Sequence, residues 1–166
     1  MSYFDELFAS TIGSEPVVHN QKKLIRLDYI SFEDEDQFSI KIESTNSDWK
    51  QGIVLDLFGY FEISGAQFPN KIVLWEEPSK KEILVRLFQD RSSKKPPKSL
   101  PQRGLLGVRN VWDNGVCKLN YWTGGAAMIA EPIENGMRYH CNDGAPDEDF
   151  DDIIFTIRKL TQSKHN

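Results

Sequence analysis

The chain has 166 residues, 39% hydrophobic and 27% charged, and 25 acidic against 20 basic side chains leave a formal net charge of -5. These totals describe a globular chain with a real core and exclude a disordered or fibrous one. The negative surplus argues against nucleic acid as a ligand and favours a basic partner.

The opening MSYFDELFAS lacks the basic and apolar segments of a secretory signal. No apolar run reaches the roughly 20 residues needed to span a bilayer, so a cytoplasmic chain without a membrane segment is expected. The stretch SYFDELFAS is predicted to be a short amphipathic helix. Ser2 is placed as its N-cap and Asp5 in its first turn, while Phe4, Leu7 and Phe8 share a face and Gly13 and Pro16 end it.

Strand signals follow. In LIRLDYISF, Ile25, Leu27 and Tyr29 alternate with polar residues before the phase flips to Ile30 and Phe32, which predicts a bulge or a strand buried on both faces. FSIKIE alternates through Phe38, Ile40 and Ile42, and the acidic turn EDED (Glu33, Asp34, Glu35, Asp36) predicts a hairpin between the two runs. GIVLDLFGYFEI is too apolar for a half-exposed strand, and Gly59 is the expected bend. KIVLW and EILVRLF are joined by EEPSKK, where Pro78 favours a turn. Residues 89–103 hold three prolines and Arg91, Lys94, Lys95, Lys98 and Arg103, with no apolar period. They read as a mobile, solubilising connector, because no aromatic lies among them to stack on a base. LLGVRNVW, VCKLNYW, AAMIAEPI, MRYHC and DIIFTIRKL complete the strand set between Gly- and Asn-rich turns. The expected fold is therefore mainly β, a two-sheet β-sandwich-like domain with a short N-terminal helix. It spans residues 1–166 as one domain, or as two β lobes of about 1–88 and 104–166 joined by residues 89–103.

Chemistry concentrates in CNDGAPDEDFDDIIF, where Asp143, Asp147, Glu148, Asp149, Asp151 and Asp152 crowd together before an apolar strand. Three physical uses compete for this stretch. It can be an anionic contact surface, a calcium loop with Asp147, Asp149 and Asp151 as alternate oxygen ligands, or a solvated turn that guards a strand edge. The EF-hand pattern is missing. Of the aromatic residues Trp49, Trp75, Trp112, Tyr121, Trp122 and Tyr139, most are expected in the core. Trp112 and Trp122 adjoin turn residues and are the ones expected to be partly open. His140 and Cys141 are neighbours on a strand and point to opposite faces, and no hydrolase, redox or nucleotide motif occurs, so no catalytic residue is assigned. Cys117 and Cys141 are expected as free thiols.

The opening order, with YFDELFAS, Pro16, LIRLDYISF, FSIKIE and a tryptophan-bearing KIVLW, resembles the small β-rich bacterial immunity proteins of polymorphic-toxin systems over roughly the first half of the chain. The resemblance implies a cytosolic, non-enzymatic inhibitor of one toxin domain, with no cofactor and no binding residue carried over. A basic toxin domain would meet the carboxylates of 143–152, with Glu33, Asp34, Glu35 and Asp36 as a second patch and Trp112 and Trp122 beside them. The alternatives are a calcium-dependent β-sandwich module, with carbohydrate on Trp112 or Trp122, and a structural or scaffold subunit; the oligomeric state is left open.

Overall fold

The computed structural model describes residues 4–9, 15–77, 82–92, 94–98, 100–115, 119–120, 126–145 and 148–160. Among them the chain is mainly β. One helical turn, α1 (Asp5–Phe8), precedes strands β1 (Val17–His19), β2 (Lys22–Leu24), β3 (Asp28–Ser31), β4 (Gln37–Thr45), β5 (Lys50–Ile63) and β6 (Ala66–Trp75). After these come β7 (Ile83–Gln89), β8 (Leu105–Asp113), β9 (Leu119–Asn120), β10 (Ala127–Ile133), β11 (Gly136–Asn142) and β12 (Ile153–Lys159). No helix among the described residues is long and apolar enough to cross a membrane.

The expected N-terminal helix shrinks to four residues, and Ser2 lies outside the described part. A single turn has no stability of its own in water. It persists because Phe4 and Phe8 are buried with Leu24, Ala127 and Phe150 in a small satellite cluster.

β1 and β2 form a two-stranded ribbon, and the remaining strands form one antiparallel sheet in the order β10-β11-β12-β4-β7-β5-β8-β3, with β6 added to β5 and β9 to β8. β5 organises it. One edge of β5 pairs with β6 through a two-residue turn, Ser64 and Gly65, both at positive φ as hairpin twist requires. The other edge pairs with β8 along residues 50–56 and with β7 along residues 59–62. The change of partner falls where the β5–β6 register slips and Gly59 takes φ 155°; a Cβ there would stand 1.8 Å from the Phe88 carbonyl oxygen. Gly59 is thus the expected bend.

The sheet curls until its ends meet. Ile25, just ahead of β3, exchanges two backbone hydrogen bonds (2.9 and 2.7 Å) with Met128 of β10, the strand at the opposite end. Phe38, Ile40, Ile53, Leu55, Val108 and Phe155 fill the enclosed core, and strands from before and after residues 89–103 share the one sheet around it, with β8 between β5 and β3.

Two local expectations are corrected. The phase flip at Tyr29 and Ile30 falls inside β3, whose pairing with β8 runs from Asp28 to Ser31 without a register shift, so it is not a bulge. The EDED turn does not close a hairpin either. β3 pairs with β8, and β7 takes the place beside β4 because the Glu35 amide and Asp36 carbonyl bond to Leu87 of β7 (2.8 and 2.9 Å).

Candidate functional site

Two loops converge at one end of the curled sheet: residues 46–49 between β4 and β5, and residues 143–152 between β11 and β12. Register brings them together, since Thr45 at the end of β4 faces Ile153 at the start of β12. Asp143, 1% exposed, ties them. Its Oδ2 accepts hydrogen bonds from Ser47 Oγ (2.6 Å) and Gln51 Nε2 (3.0 Å), and its Oδ1 accepts one from the Ala145 amide (3.0 Å). Asp152, also buried, accepts from the Asp143 amide (2.9 Å) through Oδ2. The Asn46 side chain donates to Asp151 Oδ2 (3.0 Å). Phe150 is held at positive φ, its amide bonded to the buried Asn142 side chain (2.7 Å) and its ring 6.4 Å from Phe4.

These contacts leave an open pocket of about 600 Å³ lined by Asp48, Asp143, Asp149 and Asp152, with Trp49 on one wall. The hydroxyl, the amide side chain and the backbone N–H on Asp143 are all neutral donors, so they satisfy its oxygens without cancelling its charge. Asp149 is exposed. The pocket can therefore attract and hold a positively charged group.

The site residues expected from the sequence thus divide. Asp149 lines the pocket and faces outward, whereas Asp143 and Asp152 are corrected from exposed bait to buried supports, because turn amides need acceptors where water is excluded. Glu148 lies to the side, 2.8 Å from His19 Nε2 and within reach of the Asn20 side chain (3.4 Å). Trp112 is corrected from partly open to 2% exposed, stacked on Trp49 at 6.5 Å. Asp147 and Trp122 lie outside the described residues, as does Cys117, while Cys141 is a buried free thiol whose pKa burial raises. Among the described residues no group of three or more His, Cys, Asp or Glu side chains is arranged to hold a metal ion.

The second acidic patch sits at the other end of β4, and half of it is neutralised. Asp34 receives the Gln89 amide (2.6 Å) and Arg91 Nη2 (2.8 Å), which hold its carboxyl below the usual range, and Asp36 meets Lys159 (2.9 Å). Glu33 and Glu35 remain exposed. Sequence reasoning missed Asp48 and the wall residue Trp49. TNSDWK reads as a polar turn, and nothing in it signals proximity to residue 143. Comparison of the chain with protein-family models, curated proteins and solved structures finds no match.

Proposed function

We infer that this is a non-enzymatic cytoplasmic inhibitor of the immunity-protein kind, which neutralises a basic bacterial toxin domain by presenting the acidic pocket to it. The two arms of the curled sheet act as the layers of a β-sandwich frame behind that pocket. The observation that carries the reading is one open cavity that brings exposed Asp48 and Asp149 together over the buried carboxylates of Asp143 and Asp152, with no basic side chain in its described lining. Nucleic-acid enzymes need cationic groups to hold phosphates, and a preformed anionic concavity both blocks such a site and speeds encounter with it.

The test uses a basic nuclease domain of a polymorphic toxin, sought first in the reading frame directly upstream of this protein's gene. Stopped-flow association should slow steeply with added salt, and Asp48→Lys with Asp149→Lys should cut the low-salt rate by about tenfold while leaving the chain folded. Equal rates for native and variant chains would remove the pocket from the interface. A melting temperature that calcium raises and EDTA lowers would instead support the calcium-dependent module, since a ligand held by the folded state stabilises it.

A further inference from the structure

The acidic pocket holds more than charge. Its two exposed carboxylates, Asp48 and Asp149, have no hydrogen bond or ion pair among the described residues. The same lining includes the half-buried Trp49 indole, and Trp112 lies nearly parallel to it, at 13° and 6.5 Å between ring centroids. Local bonds fix Trp49 in place. Its amide donates to Ser47 Oγ (3.2 Å), the hydroxyl that in turn donates to Asp143 (2.6 Å). A further acceptor sits against the pocket wall. Gln51 is 0% exposed and gives Nε2 to Asp143 Oδ2 (3.0 Å) and to the Trp49 carbonyl (3.1 Å). Its Oε1, also buried, has no donor among the described residues. A buried acceptor left without a donor costs stability, so it points to a donor that comes from outside the chain.

Unpartnered carboxylates, an aromatic wall and an orphaned amide oxygen together select among cations. An ammonium is a compact, strongly hydrated charge whose donors all leave from one atom. A guanidinium is flat and weakly hydrated, with five N–H donors spread over three nitrogens. One such group can lie on an indole face and bond several separate acceptors in its own plane. We propose that the pocket receives the guanidinium of an arginine side chain of the partner protein, stacked on Trp49 with its N–H groups directed at Asp48, Asp149 and Gln51 Oε1. This deepens the inhibitor reading and rests on its premise that the pocket accepts a cation. An arginine within a protein suits the pocket better than the free amino acid, whose own carboxylate would meet those of the lining.

The full ¹⁵N-labelled chain, titrated with N-acetyl-arginine amide, should show saturable shifts in residues 46–49 and 148–152 and at the Gln51 side-chain amide. N-acetyl-lysine amide should bind about fivefold more weakly, and the neutral N-acetyl-citrulline amide should shift nothing. Trp49→Leu should erase the preference for arginine over lysine, whereas Asp48→Asn with Asp149→Asn should weaken both cations by about tenfold. Unmoved resonances in β7 and β10 check that each variant is folded. If Trp49→Leu does not fold, the native chain's ranking of arginine, lysine and citrulline decides alone. Equal affinity for arginine and lysine would overturn the proposal, as would shifts caused by citrulline, tighter binding of free L-arginine, or no saturable shift at all. These outcomes leave the inhibitor reading standing, because that reading is decided by the toxin association rates of Asp48→Lys with Asp149→Lys.

Discussion

Asp56 is an acidic side chain held where its charge is poorly served. It lies nearly buried on β5, directly opposite Lys71 of β6 and Gly107 of β8. A Cβ at Gly107 would stand 2.1 Å from Oδ1, so the glycine makes room for the carboxylate, yet among the described residues that oxygen finds no hydrogen-bond donor. Burial raises the carboxyl pKa more than Arg109 and Lys71 lower it. The sign follows from linkage. Between the unfolded and the raised folded pKa the folded chain binds more protons, so the stability this group contributes is present at low pH and is lost as pH rises through the folded pKa. Asp56→Asn does not titrate, and its stability relative to the native chain should therefore rise as pH increases across the carboxylate range and level off above it. Urea unfolding of both chains at stepped pH checks this, and a flat or declining difference would refute it. From the sequence, Asp56 is one polar residue in an apolar run. Neither its burial nor its glycine neighbour is legible, because both come from strands paired across the sheet.

The basic segment shows the same gap at the level of a whole element. Its composition predicts a solvated, mobile connector, but its backbone is pinned. Arg103 donates to the carbonyls of Asp90, Ser92 and Lys94, and its guanidinium lies 4.7 Å over the Phe58 ring. Asp34 clamps the start of the segment through Gln89 and Arg91, and the buried Leu100 anchors its end. A planar guanidinium can bond several carbonyls at once, and an ammonium on a flexible stem cannot reproduce that geometry. Arg103→Lys should therefore leave the sheet intact and loosen the segment, so that trypsin cuts after Arg91 and Lys94 several-fold faster than in the native chain at unchanged melting temperature. Equal cleavage rates would show that Asp34 and Leu100 hold the segment without Arg103. One arginine among five basic residues gives no sequence signal of this role, since its acceptors are backbone carbonyls that every residue type carries.

Closure of the sheet is a property of the entire chain, and Arg26 stands at the seam. It is buried beside the Ile25–Met128 bridge, with Nε donating to the Ala126 carbonyl (2.8 Å), Nη2 3.0 Å from Asp5, and the guanidinium 4.6 Å over the Phe8 ring. One side chain thus ties α1, the approach to β3 and the start of β10. Burial lowers its pKa, and the Asp5 partner offsets part of that cost. Arg26→Ala removes the tie and leaves a buried carbonyl without its donor, so it should lower unfolding stability by about 3 kcal/mol. A loss below about 1 kcal/mol in chemical denaturation would show that the backbone bridge closes the sheet without help.

The alternating period of FSIKIE, the strand character of DIIFTIRKL, the high apolar content of GIVLDLFGYFEI and the bend at Gly59 were all legible from residue order, because side-chain alternation and glycine's backbone freedom are local properties. The acidic character of residues 143–152 was legible too. Pairing was not: β3 with β8, β7 beside β4, and β10 against Ile25 depend on contacts between residues far apart in the chain. The same contacts place Asp48 and Trp49 beside Asp143, and they turn some carboxylates inward and leave others facing water. Charge is written into the residue type, whereas its exposure depends on which strands become neighbours.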